Sequence, residues 1–120
     1  MLKLTNKEEE VMKILWRLEK GFVKDILNEL PDPKPHYNTM STIVRNLVDK
    51  GYVDYEAFGN THRYQPKIDK ESYRKAFIDS SMAEFFEDSY TGLVSFFAKE
   101  EKISADELRE IIKLIEGKNG

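Results

Sequence analysis

The stretch from Tyr37 to Gln65, YNTMSTIVRNLVDKGYVDYEAFGNTHRYQ, restricts the possible folds of this chain more than any other. Met40, Ile43, Val44, Leu47 and Val48 recur at helical spacing and make one apolar stripe. Asn38, Thr42 and Arg45 fall on the opposite side, flanked by Ser41 and Asn46. Asn38 is a good N-cap type, so this helix is expected to begin there, and Gly51 is expected to end it. Tyr52-Val53-Asp54-Tyr55 and His62-Arg63-Tyr64-Gln65 then alternate in character like strands. Gly59-Asn60 lies between them, in a turn expected to be looser than a two-residue hairpin loop. A helix with a polar outer face followed at once by a hairpin is the layout of a recognition helix and a wing.

Two shorter helices are expected before it. Thr5 and Glu8 have capping-box spacing, and Val11, Ile14, Leu15 and Leu18 follow as one stripe, widened by Met12 and Trp16. Lys20-Gly21 is expected to end this helix, with Gly21 as its left-handed residue. Val23, Ile26, Leu27 and Leu30 repeat the spacing until Pro31, where the run PDPKP makes a stiff connector.

Pro66 and Asp69 mark a boundary, with Asp69 as an N-cap and Ile68 and Tyr73 as a hydrophobic staple. Helices are expected over about 70–88 and 92–99. A last one is capped by Ser104 and Glu107, stapled by Ile103 and Leu108, and followed by Gly117. The fold class is thus mainly α with a small antiparallel β wing. A winged helix-turn-helix domain occupies 1–68 and a C-terminal helical dimerisation domain 69–120.

The dimer follows from surplus apolar surface. About fifty residues in three short helices carry Phe77, Phe85, Phe86, Leu93, Val94, Phe96 and Phe97, with Leu108, Ile111, Ile112 and Ile115 in the last helix. Each such side chain left in water forgoes ~1.5–3 kcal/mol of burial. A second copy of the chain on a two-fold axis would cover them. Packing onto the front domain as a single core is the other way to hide them.

Charge divides at the same place. The chain carries a net −3, but residues 1–68 hold 11 Lys/Arg against 10 Asp/Glu and the remainder 8 against 12. The acidity therefore sits at the back, which agrees with DNA contact at the front. With no cysteine, disulfides, thiolate chemistry and Cys-based metal sites are all excluded. No apolar run is long enough to span a membrane, and the first residues do not read as a secretory signal. A cytoplasmic location follows, with no membrane insertion.

Arg can make two hydrogen bonds to guanine in the major groove, and Asn can do the same to adenine. Asn38, Thr42, Arg45 and Asn46 are therefore base-reading candidates, with Ser41 suited to phosphates or thymine methyls. The same residues would also suit a plain solvated helix face; the hairpin that follows favours DNA. In the wing, Arg63 is preferred over His62 as a backbone contact because its charge is permanent, and His62 could instead pair across the hairpin. Lys34, His36 and Tyr37 precede the helix where its N–H groups attract phosphate. Trp16, Tyr52, Tyr55, Phe58 and Tyr64 are expected in the core rather than stacked on bases. His36 and His62 make a poor ligand set, so no metal and no cofactor is expected. The EEE run at 8–10 reads as a solvated helix face, and no acid, base and nucleophile set marks an enzyme. A winged helix used only for protein contact, or a regulator binding a small molecule among Phe77, Phe85, Phe86 and Phe97, are the rival readings.

LTNKEEEVMKILW at the front, YNTMSTIVRNLVDKGYV in the middle, NTHRYQP in the wing and GLVSFFAKEEKISADELREI in the tail occur in an order and spacing that resemble one bacterial group. The chain resembles the penicillinase/β-lactamase repressor family, of the BlaI/MecI type, from about Leu4 to Glu116. That resemblance implies a homodimer that binds a palindromic double-stranded DNA operator and blocks transcription. By location it implies DNA-reading roles for Asn38, Thr39, Ser41, Thr42, Arg45 and Asn46. It further implies inactivation by proteolysis in the dimerisation domain, in a pathway begun by a membrane-bound antibiotic sensor with a metalloprotease domain. The matching bond here joins Phe96 to Phe97, where the family's best-studied pattern has Asn before Phe. A copper-responsive branch senses metal through C-terminal cysteines, which this chain lacks.

Overall fold

Thr5 opens the first helix as its spacing to Glu8 requires. The Thr5 hydroxyl accepts from the Glu8 backbone N–H at 3.1 Å and the Glu8 carboxylate accepts from that of Thr5 at 2.8 Å. In the computed structural model, which describes residues 2–119, the chain forms α1 (Asn6–Leu18), α2 (Val23–Asn28), α3 (Tyr37–Asp49), β1 (Val53–Phe58), β2 (Thr61–Pro66), α4 (Lys70–Phe85), α5 (Tyr90–Lys99) and α6 (Ala105–Asn119). It divides into two compact units, Met1–Ala76 and Phe77–Gly120.

In the first unit, the apolar stripes read from the sequence meet in one core. Val11, Met12, Ile14 and Leu15 from α1 pack with Val23 and Ile26 from α2, Met40, Val44 and Leu47 from α3, and Tyr52 and Val53 at the start of the hairpin. The strands are antiparallel, with Tyr55 opposite Tyr64 and Glu56 opposite Arg63. Gly21 adds a bridge on the outer side of β2, exchanging both backbone hydrogen bonds with Tyr64 at 2.7 and 2.9 Å. That bridge ties the wing to the segment between α1 and α2.

Several local expectations give way here, the first to a contact between distant residues and the second to a better local cap. The left-handed residue after α1 is Glu19, at φ 71°, not Gly21, which the bridge to Tyr64 claims. The cap of α3 is His36, whose Nδ1 accepts from the Asn38 N–H at 3.2 Å, so Asn38 already lies inside the helix. The hairpin closes with only Gly59 and Asn60 between Phe58 and Thr61. Gly59 has φ +60°, the Gly-first pattern of a type II′ turn. Tyr55 and Phe58 are half exposed rather than in the core. Gly117 lies within α6 rather than after it.

Glu8 is the largest departure from a solvated EEE face. It is 3% exposed, and Lys50 at the end of α3 donates to its carboxylate at 2.7 Å. Burial alone would raise the Glu8 carboxyl; Lys50 and Thr5 outweigh burial and hold it below the usual carboxylate range.

The division between units falls inside α4, after Ala76, because the first turns of that helix belong to the front core. Asp69 caps α4 by accepting from the Ser72 N–H at 2.7 Å. Tyr73 packs its ring 5.5 Å from Trp16 and 6.0 Å from Tyr52, and its hydroxyl donates to Glu9 at 2.5 Å. Trp16 in turn donates its Nε1–H to the Ile68 carbonyl at 2.9 Å.

The second unit has little interior. Ser89 caps α5, and Ser104 and Glu107 close the expected capping box on α6. Among its described residues only Met82 is buried. Phe86, Leu93 and Leu108 are half buried, while Phe77, Phe85, Phe96, Phe97, Ile111, Ile112 and Ile115 are exposed. Among the described residues, no helix is long and apolar enough to cross a membrane.

Candidate nucleic-acid interface

The core stripe of α3 turns Met40, Val44 and Leu47 inward, and this fixes what its other side presents. Tyr37, Asn38, Thr39, Thr42, Arg45 and Asn46 are exposed, and Ser41 is half buried at the edge. Thr42 donates its hydroxyl back to the Asn38 carbonyl at 3.0 Å, which leaves its methyl and the oxygen lone pairs outward. The His36 cap occupies the Asn38 N–H. Lys34 donates to the Leu30 carbonyl at 2.5 Å, which stiffens the approach to α3.

Arg45 stands apart from the other arginines of the front unit's first 68 residues. Arg17 is paired with Glu29 at 3.0 Å and Arg63 with Glu56 at 3.2 Å. Arg45 has no acidic partner among the described residues. An exposed guanidinium whose five donors are uncommitted can meet a guanine edge or a phosphate without first breaking an ion pair.

The hairpin separates the two wing candidates. Cross-strand pairing puts Tyr55, Ala57, His62 and Tyr64 on one face and Glu56, Phe58 and Arg63 on the other. On the first face His62 stacks on Tyr55 with centroids 4.2 Å apart and planes 9° from parallel, and Tyr64 meets both rings edge-on or tilted at about 6 Å. This face adjoins α3. Burial pushes the Tyr64 phenol up, the Arg45 guanidinium pulls it down, and Tyr37 and Tyr55 push it up again. Those interactions place Tyr37, Arg45 and Tyr55 each within electrostatic reach of Tyr64. On the other face Arg63 lies 4.8 Å over the Phe58 ring, which Phe22 meets edge-on. The permanent charge preferred from the sequence is thus held by Glu56 and Phe58, while His62 shares its face with Tyr64 beside Arg45.

Tyr55 and Tyr64 were not among the site residues read from the sequence. Their alternation with Asp54 and Arg63 could have shown which strand face each occupies; only the register shows which face adjoins α3.

A family model described as "Penicillinase repressor" matches residues 4–117. The penicillinase repressor of Bacillus licheniformis is 25% identical over 118 residues, covering 94% of this chain and 89% of that protein. The methicillin resistance regulatory protein MecI of Staphylococcus aureus (strain N315) is 22% identical over 116 residues, covering 96% and 94%. Among solved structures, the DNA-binding domain of the repressor BlaI superposes with TM-score 0.52 at 26% identity, covering 59% of this chain and 88% of that one. A complex structure of hsRosR-S1 superposes with TM-score 0.54 at 18% identity over 97% of this chain and 92% of its own, a likeness of fold alone.

Proposed function

The chain belongs to the penicillinase repressor family, and from that premise we propose that it is a homodimeric, cytoplasmic repressor that reads a palindromic operator. The family is one of DNA-binding transcriptional regulators and not of enzymes. α3 enters the major groove with Asn38, Thr39, Ser41, Thr42, Arg45 and Asn46 toward the bases, and Tyr37 and the wing lie along the backbone. Two copies span two half-sites, and an occupied operator excludes polymerase. The single observation that carries this reading is the unpaired Arg45 on the exposed side of α3, beside the Tyr55–His62–Tyr64 face of the hairpin. The output is placed with antibiotic resistance, the trait in the Staphylococcus relative's name.

Arg45→Ala is expected to weaken binding to the chain's own promoter by ~1–3 kcal/mol, while affinity for unrelated duplex falls far less. Fluorescence anisotropy with both DNAs measures this. Equal affinities for the promoter before and after the substitution would remove Arg45 from the reading surface.

The exposed apolar side chains of the second unit support a two-copy assembly: Phe85, Ile112 and Ile115 are 70%, 51% and 53% exposed. Release through proteolysis at Phe96–Phe97 fits the exposure of both side chains. The bond lies inside α5, where the two carbonyls accept from Glu100 and Lys102 at 3.1 and 2.9 Å. A protease therefore needs that turn to open before it can cut.

A further inference from the structure

The proposed DNA surface has one cation that can be switched on. His62 lies flat against the Tyr55 ring, half buried, on the hairpin face that adjoins Arg45 and Tyr37. We propose that Tyr55 and His62 act as one unit on DNA, in which Tyr55 positions the imidazole and the protonated ring of His62 holds a backbone phosphate. This rests on the repressor reading above and adds a residue to it, Tyr55, together with a proton.

The chemistry follows from the stack. Histidine is the side chain whose ordinary charge change falls between about pH 5 and 8. A tyrosine face receives an imidazolium favourably and limits its rotation. Bringing up a phosphate favours the charged ring further, so binding takes up a proton. The groups that face His62 are Tyr55 from β1 and Tyr64 from its own strand, with Arg45 and Tyr37 of α3 acting on Tyr64. Arg63 and Glu56 are turned to the other side of the hairpin and neutralise each other there. Among the described residues no carboxylate forms an ion pair with His62.

The chain has only one other histidine, and its effect has the opposite sign. His36 accepts from the Asn38 N–H through Nδ1, so protonation removes that acceptor and loosens the start of α3. A fall in affinity on acidification therefore points to His36, and a rise that His62→Gln removes points to His62.

The experiment is anisotropy of the full chain on its own promoter at about pH 6 and about pH 8, each over a salt series. The unsubstituted dimer is expected to bind roughly 25- to 100-fold tighter at the lower pH, about five- to tenfold for each copy's solvent-accessible contact. Its log–log salt slope should steepen by about 1.8, one more phosphate neutralised by each of the two copies. His62→Gln should abolish both changes, so that affinity and salt slope become the same at the two pH values, whereas His36→Gln should preserve them. Tyr55→Leu should shrink the rise without removing promoter binding. Imidazole NMR shifts provide a second readout that does not need a variant: the His62 titration should move up on adding DNA. Affinity independent of pH, a rise that survives His62→Gln, or a His62 titration unmoved by DNA would each overturn the contact. Failure to bind the promoter at any pH would instead overturn the repressor reading, and this contact with it.

Discussion

Ile112→Asp should convert the proposed dimer into a monomer and reduce promoter affinity to the level of a single half-site. Ile112 is half exposed in α6, on a unit whose described residues bury only Met82. In a two-fold assembly each substitution occurs twice, so two carboxylates would enter one interface. Like charges there cost several kcal/mol, on top of the ~1.5–3 kcal/mol of burial lost for each isoleucine. Ile112→Ala removes the burial alone and should weaken the dimer without destroying it. Sedimentation velocity separates these outcomes. An Ile112→Asp chain that still sediments as the same dimer would mean that α6 is not the covered face.

Lys50→Met should destabilise the front unit by ~2–3 kcal/mol near neutral pH, and the loss should shrink as the solution is acidified. Lys50 is the side-chain cation on a carboxylate that is 3% exposed, at 2.7 Å. Removing one partner of a buried pair leaves the other charged and desolvated, a penalty of ~3–5 kcal/mol when the site is closed. Lys50 keeps a quarter of its side chain in solvent, so water can reach part of the vacated space and the lower figure applies. The sign of the pH effect follows from the Glu8 carboxyl. In the native chain it titrates below its ordinary value of 4.5, because Lys50 and Thr5 outweigh burial. Its contribution is then fully present above that value and is lost as pH falls through the lower, folded one. Without Lys50, burial is opposed only by Thr5, and the carboxyl titrates higher. The variant should therefore gain on the native chain as pH drops toward 4.5. Trp16 is the only tryptophan and lies in the front unit, so its fluorescence in urea titrations at two pH values reports this stability. A difference that stays constant with pH would show that Glu8 and Lys50 are not coupled.

What could be read from the amino-acid order alone was mostly local. The Thr5–Glu8 and Ser104–Glu107 boxes and the inner stripe of α3 depend on residues three or four apart, and they form as that spacing requires. The sequence makes Glu8 look solvated because its partner lies 42 residues away, across the packing of α1 on α3. Gly21 looked like a helix stop because its bridge to Tyr64 is equally remote. Within the interface, the exposed row on α3 follows from periodicity alone. The wing did not, because strand register decides whether His62 or Arg63 shares a face with Tyr64, and no pattern within one strand contains that information.

Hydroxyl-radical footprinting of the full chain on its own promoter most directly tests whether paired copies present α3 to one side of the duplex. Two protected segments should appear, centred about one helical turn apart and related by a dyad, and both should fade together in Ile112→Asp. A single protected segment, or two whose spacing places the half-sites on opposite faces of the DNA, would contradict it.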